Sequence, residues 1–150
     1  MKFCFIWPGK TRNPHIKALI DDYQSRISKY IKSEIIETQA GKMPFKANDE
    51  EKKIVARMPS SSYIILLDIK GKMLDSEKLA AKIEQLFTSG KDCVVFIVGG
   101  EQGSTKWLQE KSDMLLSLTQ LTTTHEMARL LLLEQVYRGL TIINKHPYHK

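Results

Sequence analysis

The chain of 150 residues has two cysteines, five prolines and no uninterrupted apolar run near the about 18 residues that a membrane-spanning helix needs. The first apolar run, Phe3 to Trp7, stops at Pro8-Gly9 and is too short for the hydrophobic region of a secretory signal. No membrane partner is expected. Cys4 and Cys93 each sit inside an apolar run, where a free cysteine behaves as a small buried hydrophobe. Neither reads as a metal ligand or a nucleophile, and a reducing cytoplasm is the expected compartment. Internal repeats, low-complexity stretches and domain linkers are also lacking, and this length gives room for one core, so residues 1–150 read as a single domain. Acidic residues are outnumbered, 17 against 23 Lys and Arg, for a net charge of +6. That balance favours a polyanionic partner through phosphate neutralisation. With 42% hydrophobic and 27% charged residues the composition is that of an ordinary globular protein.

Strand-like and helix-like patterns alternate along the chain. Phe3 to Trp7 has strand length, and Asn13-Pro14 supplies a cap and a first-turn proline for a helix. Ile16, Ile20, Tyr23, Ile27 and Tyr30 recur at helical spacing along it. Glu34 to Thr38 reads as a strand and Gly41 to Ala47 as a linker, and Asn48 with Glu51 resembles a capping box for a short charged helix ending before Pro59. Ile64 to Leu67 is a further strand. Asp75 can cap a helix that places Leu79, Ile83 and Leu86 on one face and stops at Gly90. Cys93 to Val98 follows as a strand. Continuous apolar strands suit a parallel sheet covered on both faces, so the expected architecture is α/β with helices on either side.

Four segments have the residues for chemistry. Gly99-Gly100-Glu101-Gln102-Gly103 directly follows the strongest strand, where ligands of open α/β sheets bind and where glycine lets backbone approach a ligand. It lacks dinucleotide-binding spacing and the lysine of a P-loop. A purely structural turn explains it equally well. Leu115 to Thr124 ends in Thr119-Gln120-Leu121-Thr122-Thr123-Thr124, whose hydroxyls and backbone could read a base edge while Leu118 and Leu121 cover its ring. Alternatively, Thr123 and Glu126 form a capping box that starts the next helix. That helix, His125 to about Thr141, has Leu130 to Leu133 around its axis, which fits either a homodimer interface or a central core helix. Arg129 and Arg138 beside the leucines could meet phosphates or pair with residues such as Glu134. The tail Asn144-Lys145-His146-Pro147-Tyr148-His149-Lys150 combines a stacking ring, cations and imidazoles that suit RNA, and it also fits a frayed basic terminus.

These segments occur together, in order, with Met1-Lys2, Ile36-Glu37 to Gly41-Lys42, Leu67-Asp68 through Gly71-Lys72, Gly99-Gly100-x-x-Gly103 and Leu116-Ser117. They continue through His125, Arg129, Glu134-Gln135-Val136-Tyr137-Arg138 and Tyr148-His149-Lys150. The ordered set resembles the RlmH family of SPOUT methyltransferases along nearly the whole chain. The resemblance implies a SPOUT-type parallel sheet, a C-terminal trefoil knot and a homodimer. It also implies a reaction: methylation, with S-adenosylmethionine as donor and no metal, of N3 of pseudouridine 1915 in helix 69 of 23S ribosomal RNA in the assembled ribosome. Carried over by position, Leu67, Gly99, Leu118, Thr119, Gln120, Leu121, Thr122 and Thr123 line the donor pocket. Tyr148 and His149 become candidates for orienting the base and accepting its proton, and Arg129, Arg138 and Lys145 for phosphate contacts.

The chain departs from the family at Thr124, where relatives often have proline, and at Glu101-Gln102, where they often have Pro-Glu. Two other classes of function remain open: a non-enzymatic ribosome-binding module, which needs no donor pocket, and a nucleotide-phosphate hydrolase, which the sequence equips with neither a P-loop lysine nor a metal-carboxylate cluster. A related SPOUT enzyme with another RNA target is the nearest rival.

Overall fold

In a computed structural model, residues 1–40, 47–100 and 103–148 are described, with only the backbone of Ala47 and Asn48. Five parallel strands alternate with five helices: β1 (Lys2–Pro8), α1 (Pro14–Ser28), β2 (Ser33–Thr38), α2 (Ala47–Val55), β3 (Ser62–Met73), α3 (Ser76–Phe87), β4 (Cys93–Val98), α4 (Lys106–Lys111), β5 (Met114–Ser117) and α5 (His125–Ile143). The sheet order is β2-β1-β4-β3-β5. Its strands are apolar at successive positions because each side has its own core. Phe3, Phe5, Trp7, Val94 and Phe96 face a core closed by Ile20 and Ile27 of α1, Ile83 of α3 and Leu132 and Val136 of α5. Cys4, Ile6, Val95 and Ile97 face the other way, onto Ile54 of α2 and Leu108 of α4. Period-2 alternation thus sorts one hydrophobic run between two cores. Both cysteines are free and fully buried, with their sulfurs 3.2 Å apart.

Helices α1, α3 and α5 start at side-chain caps. Asn13 Oδ1 accepts from the amides of His15 and Ile16, at 2.9 and 3.2 Å, and Asp75 Oδ1 accepts from Lys78 at 2.7 Å. The expected cap at Asn48 falls inside α2, and its side chain, like the expected linker residues 41–46, lies outside the described residues. One capping expectation is corrected. Thr124, not Thr123, caps α5: its backbone is extended and its hydroxyl accepts from the Met127 amide at 3.3 Å. Glu126, which a capping box would turn back onto Thr123, instead accepts from the amides of Arg12 and Asn13. Thr123 is left free of capping.

α5 packs between α1 and α3 as the central helix of the first core. Leu132 and Leu133 are fully buried there, while Leu130 and Leu131 are half-buried. Leu130 also packs against this core and Leu131 lines a cavity at the carboxyl edge of the sheet, so the run has its partners largely within one chain. Three features go beyond the sequence pattern: α4, β5, and the extension of β3 past Leu67. That strand pairs with β5 twice, at Leu67 opposite Leu116 and again at Lys72 opposite Leu116, so residues 68–71 loop out between the two pairings. Gly71 is essential to the loop, because a Cβ there would lie 2.6 Å from backbone atoms of Leu115 and Leu116.

Candidate active site

The carboxyl ends of β3, β4 and β5 meet the first turn of α5 around a cavity of about 430 Å³, and such cavities hold small molecules at roughly 300–1,000 Å³. The bulge of β3 provides one wall with Leu67, Asp68 and Ile69. The glycine turn after β4 provides a second, and residues 116–119 and 121–123 a third. Of the eight positions expected to hold the donor, all line this cavity except Gln120, which is exposed outside it. Leu121 is 76% exposed and stands at the mouth.

Side chains behind the cavity hold its backbone in place. Gly103 sits at φ +74° and its amide donates to Gly100 O at 3.0 Å, a tight turn that residues with a Cβ rarely adopt. Asp68 ties that turn to the bulge. Its Oδ1 accepts from the Lys70 amide at 2.8 Å, and its Oδ2 accepts from Ser104 Oγ at 2.5 Å and Gln109 Nε2 at 3.1 Å. Thr105 is fixed in turn by the buried Glu51, whose Oε1 accepts from its amide at 2.6 Å and whose other oxygen takes its hydroxyl. Among the described residues, Asp68 is the one formally charged side chain lining the cavity and His125 the one imidazole. Apolar leucine faces, threonine hydroxyls and accessible backbone suit a ligand with a flat ring and a polar edge. No group of three or more His, Cys, Asp and Glu among the described residues could hold a metal ion.

Tyr148, Arg138 and Lys145 do not line this cavity. Tyr148 folds back onto α1 and α5, its hydroxyl 3.2 Å from Tyr23 Oη and 3.3 Å from Glu134 Oε1. Its ring packs edge-on to Tyr137, with the Arg138 guanidinium 4.8 Å above it. Burial, and then the hydrogen bond with Tyr23, pushes its phenol above the usual tyrosine range. Arg138 donates twice to Glu134, at 3.0 and 2.6 Å, and that bond pushes its guanidinium up. Lys145 is exposed, at φ 54° where the chain turns out of α5. His149 lies outside the described residues, as do Glu101 and Gln102.

Arg129 requires a correction. Expected at an RNA phosphate, it is fully buried. Its Nη1 donates to Thr11 Oγ1 at 3.1 Å and its Nη2 to Pro8 O at 2.7 Å, with the Trp7 ring 5.2 Å away. No phosphate can reach it, because it is enclosed by β1, the loop after β1 and α5. Burial lowers its pKa, partly offset by Glu126 and then Glu37. In the other direction, the Asp68, Ser104 and Gln109 network and the cavity walls His125 and Ala128 carry no expected role in the sequence reading. His125, placed directly after the threonine stretch at a helix start, was the one with a readable signal.

The family model described as "Predicted SPOUT methyltransferase" matches residues 1–149. Among curated proteins, the chain is 37% identical to the ribosomal RNA large subunit methyltransferase H of Acetivibrio thermocellus over the whole length of both. It is 40% identical to the putative ribosomal RNA large subunit methyltransferase H of Methanococcus maripaludis and 39% identical to the Finegoldia magna protein named ribosomal RNA large subunit methyltransferase H, again with full coverage of both chains. A parallel α/β sheet, a cavity at its carboxyl edge and these end-to-end matches agree: the chain belongs to the SPOUT methyltransferase family, in the group of relatives named ribosomal RNA large subunit methyltransferase H.

Proposed function

We propose that this protein uses S-adenosylmethionine to methylate N3 of pseudouridine 1915 in helix 69 of 23S ribosomal RNA, acting on the assembled ribosome in the cytoplasm as a homodimer with a trefoil-knotted SPOUT domain spanning the whole chain. The observation that carries the reading is the cavity itself. Position 67, position 99 and the stretch 118, 119, 121, 122 and 123, three segments far apart in sequence and carried over from the family resemblance, meet around one space of nucleoside size. The relatives' name, ribosomal RNA large subunit methyltransferase, supports RNA as the acceptor.

The donor fits what is present. Leu67, Leu116 and Leu118 offer faces for an adenine ring, Gly99 admits close backbone approach, and threonines 119, 122 and 123 bring hydroxyls and backbone groups for its edge and ribose. Bound there, S-adenosylmethionine supplies an electrophilic methyl group. The chain's own task is to hold the target nitrogen in line and to remove its imide proton. We assign the proton to His149 and orientation of the base to Tyr148. Because Tyr148 does not line its own chain's cavity, the tail serves the partner's cavity in this reading. Lys145 and Arg138 approach phosphates beside it.

The test is transfer of label from S-adenosylmethionine to purified ribosomes and, in parallel, to free ribosomal RNA, with the product nucleoside identified by mass spectrometry. N3-methylpseudouridine from intact ribosomes is the expected result. A different methylated nucleoside would make this a related enzyme with another target. Ribosome binding without donor binding would make it a non-enzymatic module.

A further inference from the structure

We propose that the loop between β1 and α1, residues 9–13, is an RNA-docking element in which Lys10 and Arg12 contact substrate phosphates, held in place by Glu126 and Arg129 as positioning residues. This rests on the reading of the substrate as RNA.

The loop is short, exposed and unusually well fastened. Gly9 N donates to Thr38 O at 2.8 Å and Thr11 N to Glu37 Oε1 at 3.3 Å. Glu126 accepts from the next two amides, Arg12 N at 2.6 Å and Asn13 N at 3.2 Å, and Arg129 takes Pro8 O and the buried Thr11 hydroxyl. Backbone from Pro8 to Asn13 is thereby fixed mostly by side chains from other elements. The fastening uses a buried guanidinium that has no ion pair with a carboxylate among the described residues, an arrangement that desolvation disfavours. Closing a surface loop does not require that.

The two side chains left outside by this arrangement are cations. Lys10 and Arg12 flank the inward-facing Thr11 and are exposed, and neither has an ion-pair partner among the described residues. Some other surface cations are neutralised by nearby acids, Lys17 by Asp21, Arg26 by Asp22, Lys78 by Asp75 and Lys106 by Glu110, whereas Lys29 and Lys91 are exposed and likewise unpaired among the described residues, so position has to distinguish Lys10 and Arg12. Position completes the case. In the first turns of α5, His125 and Ala128 line the donor cavity, while Glu126 and Arg129 grip the loop. One helix, roughly 10 Å across, therefore separates the cations from the cavity. A phosphate backbone resting on the loop would run beside a base presented at the cavity mouth, and backbone contacts of this kind set position and affinity rather than sequence preference.

The test uses the full chain with Lys10→Ala and Arg12→Ala combined, and purified ribosomes as the probe. Binding is followed across a potassium chloride series, together with methyl transfer against ribosome concentration and donor affinity by calorimetry. The expected result is about a tenfold loss of ribosome affinity at moderate salt and a log–log salt slope shallower by about 1 to 2, for two lost phosphate contacts. KM for ribosomes rises in parallel, while kcat and donor affinity stay within about twofold. Glu126→Ala should reproduce the shallower slope and add little in the doubly substituted background, the non-additivity of residues acting together. Unchanged ribosome affinity and slope in the double variant would overturn the proposal, as would a wild-type protein that does not bind ribosomes. If the wild type binds ribosomes but transfers no methyl group, the proposed reaction fails while the binding comparison still decides the role of the loop.

Discussion

The cavity at the carboxyl edge of the sheet and the aromatic cage around Tyr148 are built on opposite principles. The cavity is lined mainly by leucines, glycines, threonine hydroxyls and backbone, and its fixing side chains, Asp68, Ser104, Gln109 and Glu51, work from the wall or from behind it. The cage consists of side chains that satisfy one another: Tyr23, Glu134, Tyr137 and Arg138 all contact Tyr148. An open, largely apolar space with few internal partners is suited to taking up a ligand. A closed polar network is suited to holding its own chain, and here it fixes the direction in which the tail leaves.

The strongest way to break this contrast is at Gly71. Gly71→Ala should destabilise the fold by about 3 kcal/mol, the upper end of the overpacking range, because its Cβ meets backbone that cannot move aside as a side chain would. Chemical denaturation would measure the loss, and any folded fraction should bind donor poorly. Next is Tyr148→Ala, which removes a half-buried ring from the cage and should cost about 2 kcal/mol. Turnover should fall at least tenfold with donor affinity unchanged. Tyr148→Phe keeps the ring and should cost only about 1 kcal/mol for the lost hydroxyl contacts.

Thr124→Ala should cost about 1 kcal/mol as a lost helix cap, measured by thermal melting. It should also weaken donor binding slightly, since the capped turn carries His125 and Ala128 into the cavity. The smallest effect concerns acid. Hydrogen bonds from Arg12 N and then Asn13 N hold the Glu126 carboxyl below its usual range. A group with a depressed folded-state pKa contributes stability above the unfolded value, about 4.3, and loses it as pH falls through the folded value. The difference in melting temperature between wild type and Glu126→Gln should therefore be present at neutral pH and shrink below pH about 4.

Much of the sheet was legible because its strands are apolar runs ended by strong signals, Pro8-Gly9 at the end of β1 and Gly99-Gly100 after β4. The caps at Asn13 and Asp75 were legible for the same local reason. What escaped was short or non-local. β5 has four residues and runs into the threonine stretch, and α4 has six with only Leu108 buried, too few for a period to show. Residues 68–71 look like an ordinary polar turn, and only the double pairing with β5 makes them a cavity wall. Arg129 looked like a surface cation because nothing local reveals that the loop after β1 closes over it. The link between Tyr23 and Tyr148 spans 125 positions, which no local pattern encodes. Most of the cavity residues are legible only through the family resemblance, since their own residue types fit helix capping and structural turns equally well.

The most direct test of the central claim is a nuclear magnetic resonance titration of the isotopically labelled protein with S-adenosylmethionine. The backbone amides of Leu67, Gly99, Ser104, Thr122, Thr123 and Ala128 should shift saturably, while those of Tyr23, Tyr137 and Arg138 stay largely in place. Shifts centred on the cage with the cavity amides unmoved, or no saturable shift at all, would contradict it.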